Sequence, residues 1–139
     1  MNLQNEWFTF FKMKFEHYAI NVEDSVAVAD WYIENCGLTA AVAMSEAPFA
    51  RFLADDTGRV FLEIYSNLTA TIPDYANMNH LIYHLAFAVT DAGAERERLM
   101  AVGCTFIEEL NPQPNTRLIM LRDPFGISLQ LCQRANPMP

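Results

Sequence analysis

Leu81-Ile-Tyr-His84-Leu-Ala-Phe-Ala-Val89-Thr-Asp91 sets one histidine in an apolar run and follows it with a residue suited to capping a helix. The motif occurs twice. Residues 17–24, His-Tyr-Ala-Ile-Asn-Val-Glu-Asp, match residues 84–91, His-Leu-Ala-Phe-Ala-Val-Thr-Asp, at four of eight positions, both histidines and both aspartates included. The same separation of 67 residues joins Leu62 to Leu129 and Glu63 to Gln130. Self-similarity at a fixed spacing is the mark of a doubled structural unit.

Read outward from that repeat, Phe15 to Val22 forms a strand with His17, Ala19 and Asn21 on one face. Asp24 or Ser25 caps a helix with Val26, Ala29 and Ile33 at helical spacing, and Cys36-Gly37 ends it. Strands follow at 39–44, 49–54 and 59–65, with an Asp55-Asp-Thr-Gly58 turn between the last two. In the last of them Val60, Leu62 and Ile64 point one way and Phe61, Glu63 and Tyr65 the other.

The order then restarts. A strand around His84 leads into a helix capped near Asp91 and ending at Val102-Gly103, and strands follow near 104–108, 117–121 and 127–132. The expected fold is α+β, with two pseudosymmetric βαβββ units forming a curved mixed sheet around a cleft and the helices on the outside. The first unit spans 14–66 and the second 80–134. An N-terminal extension (1–13), a linker (67–79) and a tail (135–139) complete one domain of 139 residues.

Composition narrows the function classes. A net charge of −8, with nine scattered Lys and Arg residues, argues against a nucleic-acid partner. No apolar run reaches the length of a membrane span and no basic n-region opens the chain, so a membrane partner is not expected and a cytoplasmic location is. Cys36, Cys104 and Cys132 form no CxxC pair and read as thiols in a reducing compartment. The aromatic segment Trp7-Phe-Thr-Phe-Phe11 calls for cover by the core or by another subunit, which favours a homodimer.

By strand parity His17, Glu63, His84 and Gln130 all fall on the face away from the helices. Two imidazoles, a carboxylate and an amide on rigid strands suit a divalent metal that accepts nitrogen and oxygen donors: Zn, Ni, Fe, Mn or Co. Burying Glu63 beside Phe61 and Tyr65 is costly unless a cation or a hydrogen-bond network compensates. The alternative is a set of hydrogen-bonded core histidines satisfied by Glu63 and Gln130. Cys132 shares the face of Gln130 and reads as an inert thiol. His80 lies in a loop entering the strand, where the four-residue spacing to His84 does not hold the two together.

The paired His-x-Ala-Ile/Phe-x-Val starts, the strand Phe61-Leu-Glu63-Ile-Tyr-Ser-Asn67 and the segment Asp123-Pro-Phe-Gly126-Ile-Ser-Leu-Gln130 resemble the vicinal oxygen chelate superfamily over about residues 14–134. That superfamily embraces glyoxalase I, extradiol dioxygenases and metal-free bleomycin-binding proteins. The resemblance implies that His17, Glu63, His84 and Gln130 are metal ligands, the last replacing a carboxylate that serves glyoxalases as base. Glutamine offers a carbonyl oxygen but accepts no proton from carbon, which leaves Glu63 as the catalytic carboxylate.

The resemblance further implies a substrate-binding role for Asn67, four residues past Glu63, and for Asn21, where bacterial-type glyoxalases carry an arginine. Arg51, Arg59 and Arg117 are the available replacements for that arginine. The implied activity is a glyoxalase-like metal-dependent lyase or isomerase that moves a proton on a small carbonyl compound through an enediolate. A metal-free binder with Phe61, Tyr65, Met120 and Trp31 as apolar walls is one alternative. An extradiol-type dioxygenase is the other.

Overall fold

The computed structural model describes residues 12–139. Trp7 to Phe11, expected to need cover, lie outside the described residues. The chain forms two compact units, dividing between Ala70 and Thr71.

In the first unit β1 (Tyr18–Asn21) leads into α1 (Ser25–Cys36), followed by β2 (Thr39–Ala43), β3 (Arg51–Ala54) and β4 (Val60–Tyr65). The second repeats the order with β5 (Leu85–Ala88), α2 (Ala92–Met100), β6 (Thr105–Leu110), β7 (Arg117–Arg122) and β8 (Ser128–Gln133). Each unit builds one four-stranded mixed sheet, ordered β1-β4-β3-β2 and β5-β8-β7-β6. The outer pairs β1·β4 and β5·β8 are parallel, because a helical crossover separates their strands.

The repeat is visible in register. Ala19 pairs with Glu63 and Ala86 with Gln130, so the 67-residue separation holds across both parallel pairs. It also holds at the caps: Asp24 accepts a hydrogen bond from the Ala27 amide and Asp91 from the Ala94 amide, both at 3.0 Å. Each satisfies a first-turn N–H that has no partner within its helix. α1 ends as its sequence predicts, with Gly37 in the left-handed region at φ 67°.

Alternation along the strands decides where the cores lie. In the first unit Leu53, Leu62 and Ile64 are buried with Val28, Ala29 and Tyr32 of α1. In the second, Ile119, Leu121, Leu129 and Leu131 are buried with Ala92 and Leu99 of α2. Glu63 and Gln130 have the opposite parity on their strands and therefore project from the face away from the helix. β1 is shorter than expected, and His17 sits one residue before it.

The expected linker carries structure of its own. Tyr75–Asn77 form a 3-10 turn, Tyr75 is buried, and its ring meets Tyr83 edge-on at 5.6 Å. Arg122 holds this segment to the second sheet, donating to the backbone carbonyls of Tyr75 (2.9 Å), Met78 and Gly126 (3.1 Å). Removing a charged donor strands several part-buried carbonyls at once, so Arg122→Ala should lower unfolding free energy by about 2 kcal/mol in a urea titration.

On the helix side of the second sheet, Arg117 donates to Glu109 through Nε and Nη2, at 3.1 and 2.6 Å. Those hydrogen bonds, followed by the guanidinium charge, hold the Glu109 carboxyl below the usual carboxylate range. A depressed folded-state pKa adds stability above the ordinary glutamate pKa and loses it as pH falls through the depressed value. Arg117→Met should therefore melt slightly below the parent near neutral pH, with the gap closing in acid; solvent screening keeps the effect small.

Candidate functional site

On the non-helical face of the first unit, His17 Nε2 lies 3.0 Å from Glu63 Oε2. The side chains are 25% and 19% exposed, so the pair is sheltered yet reachable. The other ring nitrogen, Nδ1, is 2.9 Å from Glu16 Oε1, and the ring stands edge-on to Phe52 at 5.2 Å. When Nδ1–H donates to Glu16, the Nε2 lone pair is directed at a carboxylate oxygen. A proton or a metal ion between the two relieves that opposition.

The donor chemistry of this pair therefore fits a divalent ion: a neutral imidazole nitrogen and a carboxylate oxygen, with the imidazole oriented from behind by a second carboxylate. His84 and Gln130 occupy the equivalent places in the second unit, with His84 exposed and Gln130 half-buried. Gln130 Oε1, the atom with which a glutamine would coordinate, accepts a hydrogen bond from Cys132 Sγ at 3.3 Å. Among the described residues no three His, Cys, Asp or Glu side chains assemble as a metal-holding group.

The other sequence-marked residues divide clearly. Phe61 and Tyr65 share the face of Glu63, and Met120, directly paired with Gln130, shares the face of Gln130. Trp31 does not join a wall with them. It stands on α1 with its ring edge-on to Tyr32 at 4.9 Å, and the sheet packs α1 against the face opposite to Phe61 and Tyr65.

Asn21 and Asn67 meet each other. Asn21 Nδ2 donates to the Asn67 carbonyl at 2.9 Å and Asn21 Oδ1 accepts from the Asn67 amide at 2.8 Å, tying the end of β1 to the segment after β4. The Asn67 side-chain oxygen accepts from the Thr69 amide and hydroxyl. The three arginines are likewise engaged locally: Arg51 with the Met44 and Ala50 carbonyls, Arg59 with the Phe15 carbonyl and Arg117 with Glu109. Burial pushes the Cys132 thiol up, against the opposing pull of Arg134, which suits an inert side chain. None of the three cysteines forms a disulfide.

One pair escaped the sequence. His80 Nε2 lies 2.8 Å from Glu108 Oε1 within the second unit. The partners are 28 residues apart, and no local pattern joins a turn residue to a strand that far along the chain.

A family model for the Glyoxalase/Bleomycin resistance protein/Dioxygenase superfamily matches residues 14–131. The chain belongs to that superfamily. Comparison with curated proteins gives no match. Among solved structures, TnmS3, an antibiotic binding protein from Streptomyces sp. CB03234, is 20% identical over 90% of this chain and 98% of its own, with a TM-score of 0.68. A glyoxalase I mutant from Zea mays is 20% identical over 95% of this chain and 48% of its own, with a TM-score of 0.71. A glyoxylase/bleomycin resistance protein/dioxygenase domain from Frankia sp. EAN1pec is 19% identical over 88% and 99%, with a TM-score of 0.63. At these identities the likeness establishes the fold, and this superfamily fold carries enzymes and binding proteins alike. No helix among the described residues is long and apolar enough to cross a membrane.

Proposed function

We propose that this superfamily member is a divalent-metal-dependent lyase or isomerase of glyoxalase-like type, acting on a small carbonyl compound by proton transfer through an enediolate. The observation that carries the reading is the 3.0 Å contact of His17 with Glu63 on the non-helical face. His17 and Glu63 would hold the ion, with His84 and Gln130 as the matching donors of the second unit. When bound, the ion supplies a Lewis acid that stabilises negative charge developing on the substrate oxygens.

Glu63 is then the proton acceptor. It is the one carboxylate in the quartet, it shares its face with Phe61 and Tyr65, and one of its oxygens meets His17 at 3.0 Å. Glu16 acts behind His17, holding the tautomer that presents Nε2 toward the site. Gln130 binds and orients through its amide but moves no proton.

Calorimetric titration of chelator-treated protein with Zn, Ni, Mn, Fe or Co salts tests this. One of these ions should bind, and His17→Ala should weaken it at least roughly tenfold. A protein that binds none of them would reverse the reading in favour of the second one. That second reading is a metal-free small-molecule binder, supported by the engagement of Gln130 Oε1 with Cys132 and by a family that includes binding proteins. Light scattering checks the homodimer expected from the sequence.

A further inference from the structure

Past the C-terminal ends of the parallel strands β1 and β4, where the chain turns into α1, the first unit holds a cavity of about 610 Å³. That volume suits a small organic molecule. Three segments wall it: residues 23–26 after β1, 47–49 between β2 and β3, and 66–69 after β4. None of His17, Glu63, His84 and Gln130 lines it.

Hydrogen bonds join the three segments into one frame. The Ser25 amide donates to Ser66 Oγ and the Ser25 hydroxyl to the Phe49 carbonyl, both at 2.8 Å, while the Ser66 amide donates to the Pro48 carbonyl at 2.8 Å. The Asn67 side-chain oxygen is spent on Thr69. The polar groups of the walls thus serve one another, which leaves the side chains of Val26, Pro48, Phe49 and Leu68 as the surface a ligand would cover.

Phe49 is held there at a cost. Its φ of 53° lies in the left-handed region, uncommon for an aromatic residue. The backbone is fixed on both sides, the amide donating to the Glu46 carbonyl at 2.7 Å and the carbonyl accepting from Ser25. The result is a phenyl ring left 41% exposed in a cavity that Leu68, 78% exposed, also lines. Strain of that kind collects at ligand clamps.

Charge selects the ligand. Glu23 and Asp24 line the cavity and are exposed, and among the described residues no Lys, Arg or His lines it. Arg51 spends Nη1 on the Met44, Phe49 and Ala50 carbonyls outside the lining. The N-terminus of α1 contributes about half a positive charge, which two carboxylates outweigh. A cation is therefore favoured, and an aromatic face attracts one as well. We propose that this cavity binds an organic ammonium ion with an apolar body, the ammonium held by Glu23 and Asp24 and the body by Phe49 and Leu68. The site is independent of the proton-transfer reading and requires no metal.

Phenethylammonium is the probe, with phenethyl alcohol and 3-phenylpropionate as its neutral and anionic counterparts. Proton–nitrogen NMR of the intact chain, without added metal, follows the backbone amides of Val26, Ser66 and Thr69 as each compound is added. The ammonium should shift them saturably and bind roughly fivefold tighter than the alcohol, the upper scale of an exposed ion pair, with the carboxylate weakest. Phe49→Gly removes the ring and accepts a positive φ, and should weaken the ammonium roughly fivefold. In the double variant Glu23→Gln, Asp24→Asn the preference over the alcohol should vanish, while asparagine still caps α1. Amides that stay fixed, an alcohol that binds the parent as tightly, full affinity in Phe49→Gly or a preference that survives in the double variant each overturn the site. So do shifts of the same amides on dilution with no probe present, which would assign this surface to a second copy of the chain.

Discussion

Gly126→Ala should lower the melting temperature by roughly 10 °C, the consequence of about 4 kcal/mol of lost stability. Two costs combine. Gly126 has φ of 89°, outside the range an alanine adopts without strain. An added Cβ would also stand 2.6 Å from the Ala76 backbone nitrogen and 2.7 Å from its Cα. Backbone cannot yield as the tip of a side chain can, so the segment 75–78 must shift. The Arg122 hydrogen bonds to Tyr75 and Met78 hold that segment in place, which spreads the damage beyond the turn. Differential scanning calorimetry measures the shift, and a variant melting within a degree or two of the parent would refute this account of the turn.

Glu63→Gln should reduce proton transfer about a thousandfold, the usual scale for removing a positioned general base. The amide keeps the volume of the carboxylate and can donate an N–H to the His17 Nε2 lone pair, so the first sheet should remain folded. The measurement is deuterium exchange into hydroxyacetone, with the metal-loaded protein, compared at equal metal occupancy. Because Glu63 is also a proposed ligand, occupancy must be measured in the same samples. Exchange at the parent rate with full occupancy would remove Glu63 as base.

The doubled architecture was legible because its signals are local. His17 and His84, Asp24 and Asp91, and Glu63 and Gln130 share one separation, and each half carries a cap, a glycine stop and alternating strands. Register then follows from which face must be apolar, and Leu62 and Leu129 are indeed fully buried. The site was less legible for the opposite reason. His17 contacts Glu63 as parity suggests, but Asn21 and Asn67 bond each other, and Trp31 is on a helix. Side-chain partners chosen across distant segments leave no period in the sequence. His80 and Glu108 are the plainest case, since a turn and a bulge, both irregular by nature, bring them together.

The identical register of Glu63 against Ala19 and of Gln130 against Ala86 has an evolutionary reading. Codons for glutamate and glutamine differ by one base, so two tandem copies of an ancestral unit can exchange a symmetric pair of acids for an acid and an amide in a single step. Strand pairing is untouched by that step, because the backbone partners are the same for either side chain. The reverse step is as short: Gln130→Glu would return an acid to the second copy, and a gene carrying it would let the two halves compete for the same chemical role.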